Sequence, residues 1–537
     1  MIRITTIAEI RAIEAEADAN DITYDEMMKS AGQAIANHAL AMLKHLPDPQ
    51  ITLLIGGGNN GGDGILAGLF IAQANEKALV RFYLLKERPN DPYLNVAKQV
   101  GLFIAYANDD KDKRLLRNMV ASADLVIDAL FGIGVRLPIR DEAQAVLRAT
   151  NQALNERQRD YHSAATQPLT MPKRLRAFAP IRVLAVDVPS GLDADSGKLD
   201  KNAIHADETL TFITAKVGQL TFEGAQAVGQ LSVNTLGISQ KLINNHSQNI
   251  ALPTLEDAAK CLPHRPLDGH KGTFGKAMIV GGAQNYYGAI LLAAQGAYRA
   301  GAGLIAVAAP QAHVQTLAPH LPEAIWHALT EASALNVTAA QALMHALTGA
   351  DALLIGCGMG QDEASEAFLQ NTLQRQQTPL VLDADALNLL SKVKDWDSAL
   401  PRNAILTPHP AEMARLCGIT TEEVQLQRWH ITREKAQTWG VVVVLKGAHT
   451  LVASPQGEMV AIPFKTDALA TAGTGDVLGG VITGLLAQGL NAFEAAWLGA
   501  YLHGLAGTLA SKRLNHRAVM ASDVVESLHE ALNLLES

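Results

Sequence analysis

"LLIGGGNNGGDG", Leu53 to Gly64, is an apolar run that stops at three glycines and passes into two asparagines, two more glycines and an aspartate. The run Ile51–Ile55 is too short for a helix and rich in branched side chains, as a buried strand requires. Glycines directly after a strand let backbone N–H groups approach a ligand, in the manner of a phosphate-cradling loop. A loop built only for phosphate gains nothing from an acid, which repels the ligand. Asn59, Asn60 and Asp63 therefore pose a conflict that other motifs must resolve.

Working outward from this segment, strand-like runs alternate with helical stretches: Ile51–Ile55, Leu79–Leu85, Leu125–Leu130, Val183–Val188 and Thr209–Thr214. Apolar strands separated by helices predict a largely parallel sheet, an α/β fold. Loops rich in glycine or polar residues follow the first, third and fourth runs. In open α/β sheets the carboxyl ends of strands line the ligand crevice, so the three loops are expected to converge. Two helices precede the first run, with capping-box spacing at Thr6/Glu9 and Thr23/Glu26. His38, on the second helix's apolar stripe, reads as packing. The basic, polar stretch Asn151–Pro180 reads as a surface insertion. A second strand series begins at Ala277–Val280 and runs through Leu304–Ala308, Ala352–Ile355, Leu380–Leu382, Ala404–Leu406 and Val441–Leu445. Thr450–Ser454 and Glu458–Ile462, joined at Pro455-Gln456-Gly457, read as a hairpin. The motifs of the halves differ, so the chain is a fusion of two α/β domains, 1–245 and 250–537, linked by a polar stretch around Asn244–Asn249.

The 537 residues exceed a single core. A hydrophobic content of 48% with 18% charged residues describes a soluble globular protein. A formal charge of −9 argues against nucleic acid as partner. Cys261, Cys357 and Cys417 lack paired spacing and read as buried free thiols, as a reducing cytoplasm favours. Neither a signal peptide nor a membrane span is evident. The expectation is a cytoplasmic homo-oligomer acting on small molecules, without nucleic-acid or membrane partners.

The strand-end loops of the first half carry oxygen-bearing side chains: Asn59, Asn60 and Asp63, then Asp128 in "DALFGIG", then Asp187 and Ser190 in "DVPSG". Such donors suit a hard cation, magnesium or an alkali ion, and a cation bridges an acidic loop to an anionic ligand. Asn and Asp also satisfy tight turns on their own, a competing reading for any one of them. Taken in order, "GGGNNGGDG", "DALFGIG", "DVPSGLDADSG", "ADETLTF" and "AKVG" resemble the NAD(P)H-hydrate epimerase family, a Rossmann-like, three-layer αβα domain known by its YjeF N-terminal homology. The resemblance implies potassium at Asn60, Asp128 and Ser190. It implies substrate contacts along Asn59, Asn60, Gly61, Gly62 and Asp63, along Gly132, Ile133, Gly134, Val135, Arg136, Leu137 and Pro138, and at Asp187. Asp187 becomes the candidate acid/base for inverting C6 of the hydrated nicotinamide ring, with Lys216 its electrostatic partner. Val217 stands where the family usually has proline.

In the second half, "ATAGTGDVLGGVITGLLA", Ala470 to Ala487, sets Gly473 and Gly475 before Asp476 and an apolar helical pattern. Amides at a helix start form an anion hole, and a carboxylate beside it suits deprotonating a hydroxyl as a phosphoryl group arrives. A plain glycine-rich helix start, with Asp476 a dipole partner, is the competing reading. "VVVVLKGAHT" offers Lys446 and Thr450 to nucleotide phosphates. "LTPHPAEMARL" adds His409 and Glu412, and "VLDADALN" adds Asp383, Asp385 and Asn388. With "HKGTFGKAMIVGG", "YYGA" and "GCGMG", these motifs resemble the ADP- or ATP-dependent NAD(P)H-hydrate dehydratases of ribokinase-like fold. That resemblance implies substrate contacts at Ala289, Gly358, His409 and Asp476, nucleotide on Lys446, Gly447, Ala448, His449, Thr450 and Gly475, and magnesium offsetting phosphate charge. Ala411 stands where glycine is common, and no asparagine–proline pair precedes the anion hole.

Together the motifs predict a bifunctional coenzyme-repair enzyme: R and S hydrates of NADH and NADPH are interconverted, and the S form is dehydrated with ADP as phosphoryl donor. A small-molecule kinase with an N-terminal binding or scaffold module is the alternative, because fold does not fix function. A scaffold has no need of the oxygen-ligand set.

Overall fold

The computed structural model describes residues 1–537 except Asp21, residues 165–179 and Asn403. They divide into two compact units, Ile2–Gln248 and Asn249–Ser537, the second also holding Met1. Among the described residues no helix is long and apolar enough to cross a membrane.

In the N-terminal unit, β1 (Ile2–Thr5), α1 (Ile7–Asn20) and α2 (Tyr24–Met42) precede β2 (Gln50–Ile55) and α3 (Asn59–Ala74). Then follow β3 (Leu79–Leu84), α4 (Pro92–Gln99), β4 (Phe103–Tyr106), α5 (Arg114–Ala121), β5 (Leu125–Ala129) and α6 (Asp141–Ala164). The unit closes with β6 (Arg182–Val186), β7 (Glu208–Phe212), β8 (Ala215–Lys216), α7 (Phe222–Ala227), β9 (Gln230–Asn234) and α8 (Gln240–His246). Seven strands form a sheet in the order β4-β3-β2-β5-β6-β7-β9, parallel throughout. The chain leaves β2 toward β3 on one side and later returns to β5 on the other, which makes the carboxyl end of β2 a topological switch point. Gly56 is obligatory there: a Cβ would lie 1.8 Å from the Leu130 carbonyl oxygen. The short strands β1 and β8 pair parallel, with Thr5 opposite Lys216.

Three expectations change here. A strand, β1, precedes the two opening helices, although both capping interactions form, Glu9 accepting from Thr6 and Glu26 from Thr23. His38 does more than pack, since its Nε2 lies 2.7 Å from Glu208 Oε2. The stretch read as an insertion at Asn151 is helical to Ala164, because α6 continues through it and buries Ala153; residues 165–179 of that stretch lie outside the described residues.

The C-terminal unit runs β10 (Ile250–Leu252), α9 (Leu255–Cys261), β11 (Lys276–Val280), α10 (Tyr287–Arg299), β12 (Leu304–Pro310), α11 (Gln311–Leu317), β13 (Ile325–Thr330), α12 (Val337–Ala346) and β14 (Ala352–Ile355). After these come α13 (Glu363–Leu373), β15 (Leu380–Leu382), α14 (Asp385–Leu390), β16 (Ile405–Leu406), α15 (Pro410–Cys417), α16 (Thr421–Leu426), α17 (Arg428–Trp439) and β17 (Val442–Leu445). The hairpin strands β18 (Leu451–Ala453) and β19 (Met459–Ala461), then α18 (Thr474–Ala487), α19 (Ala492–Leu514) and α20 (Ala521–Glu536), complete it. The strand order is β13-β12-β11-β14-β15-β16-β17-β18-β19-β10, parallel except for the antiparallel pairs around β18. Here β11 is the switch strand, flanked by β12 and β14. Helix α18 is buried along nearly its whole length. It lies backbone to backbone on α10, where a Cβ at Gly480 would meet the Ala293 carbonyl oxygen at 1.9 Å.

Candidate active sites

At the switch point of the N-terminal unit lies a cavity of about 720 Å³. Its lining includes Asn59 and Asn60 from the first turn of α3, Asp63 from just beyond it, Gly132–Val135 from the loop after β5, and Asp187 and Lys216. The asparagines and Asp63 are thus helical, not loop residues. Arg88 fixes the preceding glycines by donating to the carbonyls of Gly56 and Gly58, each at 2.9 Å.

Asp187 directly follows the strand β6, in the left-handed region at φ 63°, a conformation that Asp and Asn tolerate better than other side chains. Its Oδ1 accepts from Lys216 Nζ (2.5 Å), Thr211 Oγ1 (3.0 Å) and Phe212 N (3.2 Å). Lys216 Nζ also donates to Thr211 Oγ1 and to the Phe212 carbonyl. The lysine is almost fully buried and all its donors are taken. Asp187 Oδ2 receives no hydrogen bond from a described residue, which leaves it for a ligand. Two more carboxyls share the cavity: burial, then the charge of Asp187, pushes Glu14 up, and the same causes push Asp63 well up.

Asp128 is fully buried beneath this lining. Its Oδ2 accepts from Ser190 N (2.7 Å), and its Oδ1 accepts from Ser190 Oγ (2.6 Å) and Leu130 N (3.3 Å). Asn60 Nδ2 donates to the Phe131 carbonyl at 3.0 Å, and Phe131 N donates to Ser190 Oγ. Burial pushes the Asp128 carboxyl up to about 6, and its hydrogen bonds only partly oppose this. One carboxylate, a hydroxyl, an amide and a backbone carbonyl are hard donors of low total charge, a set that fits an alkali cation better than a divalent one.

In the C-terminal unit Asp476 sits in the first turn of α18, whose N-cap Gly473 is left-handed at φ 90°. Burial, then Asp383, pushes its carboxyl up to about 6, while the Cys357 thiol donates to it and Lys446 opposes the shift. Lys446 Nζ donates to Asp383 Oδ1 at 2.7 Å and lies 3.9 Å from Glu412 Oε2. Burial would depress the lysine, but Asp383 and Glu412 hold it above its ordinary value. Glu412 is itself buried and pushed up by that burial. It accepts from the His409 amide at 2.7 Å, while His409 Nδ1 accepts the amides of Ala411 and Glu412. That pattern puts the ring proton on His409 Nε2, 3.3 Å from Glu412 Oε1. Burial lowers the imidazole, with Lys446 adding to the effect.

The residues singled out from sequence are largely brought together, with differences. Gly61 and Gly62 are buried within α3; a Cβ at Gly61 would strike the Gly56 carbonyl at 2.2 Å. Arg136 and Pro138 are exposed, Leu137 packs in the core around α6, and none of the three lines the cavity. Ala289 and Gly358 are neighbours, a Cβ at Gly358 falling 3.1 Å from that of Ala289. Gly475 lies beside Lys446. The His449 ring turns inward to the Ile462 carbonyl (3.0 Å), and burial pushes it down to about 4; only its backbone remains in the loop with Gly447, Ala448 and Thr450. Lys446, expected for nucleotide phosphates, is engaged by carboxylates. Sequence reading missed Arg11, Glu14, Tyr24 and Asp25, which α1 and α2 add to the first cavity, and the thiol of Cys357. All three cysteines are free, but only Cys357 is buried; Cys261 and Cys417, also expected to be buried, are half-buried.

A family described as YjeF-related protein N-terminus matches residues 24–218, and one described as NAD(P)H-hydrate dehydratase matches residues 277–530. The bifunctional NAD(P)H-hydrate repair enzyme Nnr of Moorella thermoacetica is 37% identical over 495 residues, 91% of this chain and 88% of that protein. Its namesake in Escherichia coli is 33% identical over 533 residues, 98% of this chain and 93% of that one. A solved structure of the ADP/ATP-dependent NAD(P)H-hydrate dehydratase of Bacillus subtilis, co-crystallised with ATP and magnesium, is 30% identical; it covers 54% of this chain and 100% of its own, with a TM-score of 0.48. Two distinct carboxylate sites on two α/β units, in a chain matched along nearly its full length by bifunctional relatives, lead to one conclusion: the chain belongs to the bifunctional NAD(P)H-hydrate repair enzyme family.

Proposed function

We propose that the N-terminal unit epimerises the R and S hydrates of NADH and NADPH at C6, and that the C-terminal unit dehydrates the S form with ADP. The observation that carries this reading is that each unit sets a carboxylate, Asp187 or Asp476, among polar groups at the carboxyl ends of its strands. In the second unit, Asp476 takes the proton of the C6 hydroxyl as its oxygen attacks the β-phosphorus of ADP, and AMP departs. Backbone N–H groups at the start of α18 face the transferring phosphoryl group. The C6–O bond then breaks with its electron pair on phosphate, the N1 lone pair forms N1=C6, and loss of a C5 proton restores the dihydronicotinamide. Lys446 with the loop Gly447–Thr450 and Gly475 would hold the nucleotide, and Ala289, Gly358 and His409 the hydrate. Magnesium, when bound, would offset phosphate charge.

In the first unit the cavity holds the hydrate, with Asp187 as acid/base. Asn60, Asp128 and Ser190 would hold potassium, which supplies the positive charge that links the oxygen-rich floor to an anionic ligand.

The test uses the purified full chain. With S hydrate, ADP and magnesium, AMP, phosphate and reduced nicotinamide should form in equal amounts; a stable phosphorylated product without reduced nicotinamide would contradict the reading. Without nucleotide, R and S forms should exchange on chromatography, faster in potassium than in lithium.

A further inference from the structure

Resting on the epimerase reading, we propose that Glu14 is the second proton-transfer group of the N-terminal cavity, facing the ring carbon from the side opposite Asp187. Inversion through breaking and remaking the C6–O bond needs an acid on the face that the oxygen leaves. It also needs a base on the face that water attacks. Asp187 alone serves one face, because its carboxylate is anchored from behind by Lys216, Thr211 and the Phe212 amide.

Glu14 enters the same cavity from a different element. It lies two turns into α1, on the helix whose Ile10, Ile13 and Ala17 are buried, and it lines the cavity together with Ile10 and Arg11. The placement of α1 is fixed by the strand before it: β1 pairs with β8 so that Thr5 stands opposite Lys216, and Thr5 Oγ1 bonds Thr214 Oγ1 at 2.5 Å. The helix carrying Glu14 is therefore tied to the strand carrying the Asp187 partner. No described residue donates a hydrogen bond to the Glu14 carboxyl, so it is free to donate its own proton. Burial, then the Asp187 charge, pushes the Glu14 carboxyl up, against the opposing charges of Lys216 and Arg11. Two carboxyl groups from separate elements lining one cavity, one to give a proton and one to take it, are the complement that inversion requires.

Glu14 gives its proton to the C6 hydroxyl oxygen, the C6–O bond breaks with its pair on water, and the N1 lone pair forms N1=C6. A water adds to the other face of C6 and passes a proton to Asp187. Glu14 ends ionised and Asp187 protonated. The return inversion runs with the roles exchanged, as a reversible epimerase requires, and exchange with solvent resets the pair.

The experiment compares Glu14→Gln, Glu14→Asp and Asp187→Asn in the full chain, reading R/S exchange by chromatography without nucleotide. A melting curve of each variant serves as the control for folding, and S-hydrate dehydration with ADP shows that the C-terminal unit is untouched. Glu14→Gln should lose about 10²–10⁴-fold in exchange rate with unchanged dehydration, and Glu14→Asp should restore part of the loss. Exchange in H₂¹⁸O by the unaltered chain should place one labelled oxygen on C6 per inversion. Near-normal exchange in Glu14→Gln with loss in Asp187→Asn would overturn the role of Glu14 and leave the cavity reading standing. Near-normal exchange in both would overturn that reading itself. Inversion without label would overturn the two-group scheme even if Glu14→Gln failed to fold.

Discussion

At the scale of single residues, Asp476 carries the most weight. A base must be ionised to accept a proton, and with its carboxyl raised to about 6 the competent form fades as the pH falls through that value. Dehydration of the S hydrate should therefore show an acid limb near pH 6, measurable in kcat against pH. Asp476→Asn keeps the size of the side chain and should slow dehydration by about 10²–10⁴-fold. Lys446 stands among Asp383, Glu412 and Asp476, so Lys446→Ala should move the acid limb to higher pH, because one of the charges that favour ionised Asp476 is gone. The same variant should weaken ADP binding more than hydrate binding, and calorimetry showing unchanged ADP affinity would remove Lys446 from the nucleotide site. Asp187 and Asp476 were legible in the sequence because each follows a strand or opens a helix within a motif of glycines and polar residues. Glu14 and Cys357 were not. Glu14 is one acid among several on an amphipathic helix, and only the β1–β8 pairing, which joins distant parts of the chain, turns it toward the cavity. Cys357 gives no local sign that its thiol meets a carboxylate from α18.

At the scale of elements, the proposed dehydratase site depends on how closely α18 approaches α10. Small residues set that approach: a Cβ would meet a carbonyl oxygen at 1.9 Å from Gly480, and at 2.6 Å from both Gly296 and Gly484. Gly480→Ala should cost about 1–3 kcal/mol, as overpacking does, and should displace the helix start that carries Asp476. Gly288→Ala, in the first turn of α10, meets nothing within 4 Å and should instead be neutral or stabilising by up to about 1 kcal/mol. Denaturant unfolding of the two variants should show this contrast, with epimerase activity spared in both. The central strands were legible as continuous apolar runs, since both faces of a parallel sheet are covered. Strands β4, β9 and β13 were missed, and all three lie at sheet edges. Edge positions leave residues such as Phe103, Gln230 and Ile325 exposed, which breaks the apolar run. The continuation of α6 past Asn151 was missed because its charged outer face hides the buried Ala153.

At the scale of the whole molecule, each site is assembled from one unit alone, the cavity from residues between Ile10 and Leu236 and the Asp476 cluster from residues beyond Gly281. The two activities should therefore fail separately. Asp187→Asn, whose side chain tolerates the left-handed backbone, should still repair the S hydrate while leaving the R hydrate to its spontaneous epimerisation. Asp476→Asn should still exchange R and S. The order of motifs made the two-domain plan legible, because a parallel sheet places successive loops at one edge. The sequence placed Asp383, Lys446 and Glu412 around one site, but the ion pairing of Lys446 with Asp383 emerged only once strands β15 and β17 and helix α15 stood side by side. The most direct measurement adds ADP and magnesium to a mixture of R and S hydrates and follows reduced-nicotinamide absorbance, with the unaltered chain beside Asp187→Asn. Complete recovery is expected with the unaltered chain, and with Asp187→Asn a fast phase limited to the S fraction. If Asp187→Asn, still folded, failed to dehydrate the S hydrate, the assignment of separate chemistry to separate units would be contradicted.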